Sequence, residues 1–249
     1  MRSRFFLVHV AAALSVTWLA GSGAVGAAKT ARAEHPKPRD WTTVVRMTAE
    51  GGFEMGNPDA KVKLVEYGSL ACPHCRHFEE TGYKPLVQQY VRSGEVSYEF
   101  RNLLLNGPDI SVSLLTRCAG PAKFFPMSEL VYATQPQWED RVVKMSDADK
   151  AALEKLTDEQ RIVRFAEIGR MAEMSSKFGI NPARARQCLT DKNGLQRLLA
   201  ITQSANSRGI DHTPTFIING QVSDAATWEQ LEPQLKKALG ETGQGSKAN

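Results

Sequence analysis

The distribution of apolar and polar positions along the chain divides it into two styles. Residues 62–67, Val-Lys-Leu-Val-Glu-Tyr, partly alternate and are β-prone, which predicts a central strand. Residues 95–101, Glu-Val-Ser-Tyr-Glu-Phe-Arg, alternate cleanly and predict another. Between them, Phe78, Leu86, Val87 and Tyr90 recur at helical spacing from Pro73 onward, with Gly94 as the stop signal. Residues 42–47 predict a first short strand. Gly51-Gly52 and Gly56-Asn57-Pro58-Asp59 are turn chemistry. The order so far is β-β-α-β.

From about Pro108 to Arg208 the period-two signal stops and helical signals replace it. Asp109 is expected to cap a helix running through Cys118 and ended by Gly120. Residues 123–134 read as helical with an interruption at Pro126, and residues 147–156 as a short charged helix. Thr157-Asp158-Glu159-Gln160 is a capping box that opens a helix expected to run to Gly179. Asn181-Pro182 caps the segment holding Cys188, and a helix over residues 195–206 is closed by Gly209. Residues 215–218 return to strand pattern, Asn219-Gly220 is a hairpin turn into a short strand near Val222, and residues 227–239 are a final helix. Residues 240–249 are a polar tail expected to fray. No internal repeat is present. A β-β-α-β half and a β-β-α half are thus separated by about a hundred helical residues.

The N-terminus reads as a leader rather than part of the fold. Arg2 and Arg4 precede an apolar run over residues 5–20, and small residues follow it, the layout of a secretory signal peptide cleaved between 26 and 33. A flexible entry segment over residues 34–41 then leads into the first strand. Of the 31 basic residues, Arg2, Arg4, Lys29 and Arg32 lie in the leader; the 27 that remain equal the 27 acidic ones. The net charge of +4 therefore belongs to the leader, and no basic run points to a nucleic-acid partner.

Export changes how the cysteines read, because disulfides persist in oxidising compartments. The chain has four, Cys72, Cys75, Cys118 and Cys188. Cys72-Pro73-His74-Cys75 places two thiols three residues apart at a helix start, on one face and within disulfide reach. The first also sits where unpaired N–H groups and the helix dipole favour a thiolate. His74 between them can add positive charge and a hydrogen bond. Pairing these two leaves Cys118 with Cys188 as a structural bridge in the helical block. An inert staple or half a zinc site remains an alternative for the first pair, although Cys118 and Cys188 lack zinc-site spacing.

As a set, these residues resemble the DsbA family. The resemblance is carried by Gly56-Asn57-Pro58-Asp59-Ala60, Val65-Glu66-Tyr67, Cys72-Pro73-His74-Cys75, Cys118-Ala119-Gly120 with Phe124-Phe125, and Thr213-Pro214-Thr215-Phe216 with Ile218-Asn219-Gly220. It covers about residues 42–239. The fold it implies is α/β: a thioredoxin fold over residues 42–107 and 209–239, with an all-helical domain inserted at 108–208.

The resemblance also implies roles. Cys72 is the expected nucleophile and Cys75 the resolving thiol, the pair forming the redox disulfide and needing no bound cofactor or metal. Pro214 is expected to be cis and to face that pair, with the Thr213 backbone pairing with substrate. Glu66, six residues before Cys72, is expected to be buried and to accept the Cys75 proton, the alternative being a solvent-facing acid on an alternating strand. The implied activity is a periplasmic thiol:disulfide oxidoreductase that introduces disulfides into reduced secreted proteins and is reoxidised by a membrane partner. Thr213 departs from the most oxidising members, which tend to have valine there, so an isomerase or reductase of the same fold is the first rival. A copper-tolerance thiol protein is the second.

Overall fold

The computed structural model describes residues 39–240. The expectations for the leader, for residues 34–38 and for residues 241–249 lie outside the described residues. A six-stranded sheet runs in the order β1-β2-β4-β3-β5-β6: β1 (Val45–Met47), β2 (Phe53–Met55), β3 (Val62–Gly68), β4 (Val96–Asn102), β5 (Thr215–Ile218) and β6 (Gln221–Val222). Only β3 and β4 pair in parallel, with Glu66 opposite Phe100; every other neighbouring pair is antiparallel.

The crossover that a parallel pair requires begins with α1 (Pro73–Phe78) and continues as π-helical turns over Glu79–Tyr83 and Leu86–Val91. α10 (Trp228–Leu239) carries Leu231 and Leu235, both fully buried four residues apart, toward the core. Phe78 of α1 meets Phe216 of β5 at 4.7 Å between ring centroids. The two helices and the sheet therefore share one apolar interior.

Eight helices lie between β4 and β5: α2 (Gly107–Cys118), α3 (Pro121–Ala133), α4 (Gln135–Val143), α5 (Asp147–Glu154), α6 (Asp158–Ile168), α7 (Met171–Ser176), α8 (Pro182–Leu189) and α9 (Lys192–Ser207). α2 is the central one, with Val112 and Leu115 fully buried. Phe124, Met127 and Met171 are also completely covered. The arrangement is a thioredoxin fold with an inserted helical region.

Several expected boundaries differ, each for a physical reason. β2 is a strand where only turns were expected; three residues between glycines are too few to show a period, and all three are buried. The 42–47 segment is a 3-10 turn over Trp41–Thr43, capped by Asp40, before β1 begins. Pro126 lies inside α3 without breaking it. A mid-helix proline costs about 3 kcal/mol, and burial of Phe124, Phe125 and Met127 around it offsets that. The helix expected to reach Gly179 divides after Ile168, where Arg170 takes a left-handed φ of 57° and α7 restarts. Asn106, rather than Asp109, caps α2, accepting from the Asp109 N–H at 2.9 Å. The capping box at Thr157 and Gln160 and the Asn181 cap of α8 are as expected.

Candidate active site

β3 ends at Gly68, and a three-residue loop delivers the chain to Cys72, the N-cap of α1. A side chain at Gly68 would come within 2.5 Å of the Phe100 ring and 2.8 Å of Glu66 Oε1, so only glycine fits there. Pro73 occupies the first helical turn, where its fixed φ suits the helix and its missing N–H costs nothing. The Cys72 N–H donates to the Ser69 carbonyl at 3.2 Å.

The helical block grips this loop from outside. Ser69 Oγ donates to Asp109 Oδ2 at 2.6 Å, and Tyr132 Oη donates to the Ser69 carbonyl at 3.1 Å. Gln135 Nε2 donates to the carbonyls of Leu70 and Cys72 at 3.0 and 3.2 Å. Asp109 and Gln135 are effectively inaccessible to solvent. Burial pushes the Asp109 carboxyl up to about 6 despite its hydrogen bonds from Ser69, Leu105 and Ser113. Asp109, Tyr132 and Gln135 were not anticipated as part of the site.

Cys72 and Cys75 are both unbonded thiols and both buried. Their chemistry differs sharply. The Cys72 thiol is pulled down to about 5, first by the hydrogen bond from Cys75, against burial, and then by Thr213 and the backbone N–H groups of Cys75 and His74. Burial and the neighbouring Cys72 and Glu66 push Cys75 well above the usual thiol range. His74 takes part through its backbone, and its imidazole is exposed. His77 is likewise exposed.

The Thr213–Pro214 peptide bond is cis. It brings the Thr213 carbonyl to 3.4 Å from Cys72 Sγ, which donates to it when protonated. Pro214 is buried and Thr213 half-buried, while His212 is exposed and meets Asp211.

Glu66 is 1% exposed. Its Oε2 accepts from Tyr98 Oη at 2.5 Å. Burial raises its pKa to about 8, against the lowering effect of the Tyr98 bond. The solvent-facing alternative is therefore incorrect: the even positions of β3 face the covered side. A second acid is nearby: burial, Glu129 and Glu66 push Glu79 up to about 9. Glu79 was missed, although its spacing of four residues from Cys75 puts both on one helical face.

Cys118 at the end of α2 and Cys188 in α8 form a disulfide across 70 residues, with Cα atoms 6.0 Å apart. Among the described residues, no cluster of three or more His, Cys, Asp or Glu side chains is placed to hold a metal ion, and no helix is long and apolar enough to cross a membrane.

A family model described as thioredoxin matches residues 48–237. The chain belongs to the thioredoxin family. Its fold, a thioredoxin fold with an inserted helical region, is DsbA-like. A solved protein-disulfide isomerase from Novosphingobium aromaticivorans is 30% identical, with a TM-score of 0.70, over 75% of this chain and 96% of the other. The Wolbachia pipientis alpha-DsbA1 structure shares the fold at 20% identity and a TM-score of 0.57, covering 76% of this chain and 90% of that one. Among curated proteins, a putative protein-disulfide oxidoreductase of Rickettsia bellii is 26% identical over 198 residues. The match covers 78% of this chain but 66% of the Rickettsia bellii protein, and 62% of its Rickettsia felis counterpart.

Proposed function

We propose that this family member is an exported thiol:disulfide oxidoreductase that introduces disulfides into reduced secreted proteins through Cys72 and Cys75. A substrate thiolate attacks Cys72 Sγ of the oxidised pair, a mixed disulfide forms, and Cys75 leaves as a thiolate. The substrate's second thiolate then attacks its own sulfur in that mixed disulfide and expels the Cys72 thiolate. Two electrons pass to the protein and one substrate disulfide is made. The observation that carries this reading is the divergence of the two thiols: Cys72 is held near 5 while Cys75 is driven upward. A low-pKa thiol is a good leaving group, and a stabilised Cys72 thiolate favours the reduced form of the protein, which makes its disulfide oxidising.

Glu66, with its pKa near 8, supplies a proton to Cys75 as it is released and takes it back on reoxidation. Pro73 fixes the helix start, and the His74 backbone N–H helps hold the Cys72 thiolate. The Thr213 backbone, beside Cys72 at the cis-Pro214 bond, pairs with the extended substrate chain. A membrane redox partner would collect the electrons, and the leader would direct the chain to the periplasm.

The direct test is oxidation of a reduced, unfolded protein, followed by its regained activity. The wild-type protein should promote it stoichiometrically, and Cys72→Ser should reduce the rate to background; unchanged activity in that variant contradicts the mechanism. The second reading, an isomerase or reductase, is favoured by Thr213 and by the 30% identity to the Novosphingobium aromaticivorans protein-disulfide isomerase. A reduction potential near that of thioredoxin, about −270 mV, would select it over the oxidase.

A further inference from the structure

Away from Cys72, the residues around the Cys118–Cys188 disulfide enclose a cavity of about 410 Å³. Three arginines, Arg117, Arg184 and Arg197, line it, and among the described residues none of the three forms an ion pair. Arg117 is half-buried and has only neutral partners. It donates to Asn102 Oδ1 at 3.1 Å and to the Gly51 carbonyl at 2.7 Å, and its guanidinium lies 4.9 Å from the Phe53 ring centroid. Arg197 meets the Met47 sulfur at 3.2 Å, and Arg184 meets Gln187 Oε1 at 3.4 Å. Asp191, the acid on the wall, is already engaged: it caps α9 by accepting from the Asn193 N–H at 3.1 Å.

A partly buried cation is normally paired, because desolvation is costly without an opposite charge. Here a second cation, rather than an acid, faces it. Burial and the neighbouring Arg197 hold Arg117 below the usual guanidinium range, near 10. Phe53, Leu114 and Met47 form an apolar stretch of the wall beside the disulfide, and Gln187 and Asn193 add neutral polar groups. The volume falls within the range of small-ligand sites, roughly 300–1,000 Å³.

We propose that this cavity binds a small organic anion, its carboxylate on the Arg117 and Arg197 guanidiniums and its carbon body against Phe53, Leu114 and the disulfide. Planar guanidinium forks match carboxylates in two-point contacts, and the apolar wall separates such a ligand from an inorganic ion. A free carboxylic acid and the C-terminal carboxylate of a peptide offer the same chemistry. The cavity would act independently of the role of Cys72.

The test is calorimetric titration of the full chain with glutarate, with acetyl-leucyl-leucine, with that dipeptide as its amide, and with inorganic phosphate. Binding of glutarate or of the free-acid dipeptide is expected, weakening with added salt; whichever binds tighter identifies the source. Arg197→Gln should weaken it about tenfold or more, and Arg117→Gln should do the same. Arg197 is exposed and contributes no ion pair, so its replacement leaves the fold intact even if Arg117→Gln does not. Absence of binding by both carboxylates, equal binding of phosphate or of the amide, or affinity unchanged in Arg197→Gln would each overturn the proposal.

Discussion

The two cysteine pairs of this chain are made of the same residue and put to opposite uses. Cys118 and Cys188 join α2 to α8 across 70 residues. Cys72 and Cys75 sit one helical turn apart, unbonded, at the C-terminal end of β3, where a loop, a helix start and a cis-proline turn converge. Exposure alone does not separate them, since Cys72, Cys75 and Cys188 are all at most 5% exposed and Cys118 is half-buried. A disulfide that closes a long loop constrains the unfolded chain. A pair whose thiols are driven to opposite pKa values is equipped to open and close.

That contrast can be broken by substitution, beginning with the activity lost in Cys72→Ser. Converting both Cys118 and Cys188 to serine should leave the rate of thiol exchange within about twofold of wild type while costing stability. The chain-entropy account gives about 4 kcal/mol for a loop of this size, readable as a lower denaturation midpoint. A large loss of exchange activity in that variant would instead make the second pair part of the redox site.

Glu66→Gln should act on rate rather than on substrate binding. Removing a positioned acid–base group costs on the order of 10²-fold, and the loss should be in the step that releases Cys75, with the pH profile near 8 flattened. A rate unchanged across that range would make Glu66 a structural acid only.

A smaller effect concerns stability against pH. Cys72 has its folded pKa depressed from 9.0 to about 5. Its thiolate therefore stabilises the reduced fold fully above the unfolded value, and that contribution is lost as pH falls toward 5. Glu66 runs the other way, because its raised pKa favours the fold at low pH and that contribution is lost as pH rises through 8. The reduced wild type compared with Cys72→Ser removes the Glu66 effect to first order. The wild type should gain relative stability from pH 5 to pH 9; a flat difference would mean that the thiolate is not held by the fold.

Much of this site was visible in sequence because its parts are local. Cys72, Pro73 and Cys75 are contiguous, Glu66 lies one strand upstream, and the Thr213-Pro214 turn is carried by resemblance. The clamp on the loop was not visible. Asp109, Tyr132 and Gln135 reach Ser69, Leu70 and Cys72 from 40 to 65 residues away, and no periodicity records a contact of that span. Gln135 illustrates the difficulty: it opens a nine-residue helix that went unread, and a glutamine in such a place ordinarily faces water. The strand β2 was hidden for the opposite reason, being too short for any period to develop.

The most direct measurement is the pH dependence of Cys72 alkylation in the reduced protein with the Cys118–Cys188 bond intact. The account predicts a thiolate midpoint near 5, with Cys75 unreactive throughout that range. A Cys72 midpoint close to the ordinary 9.0 would contradict it.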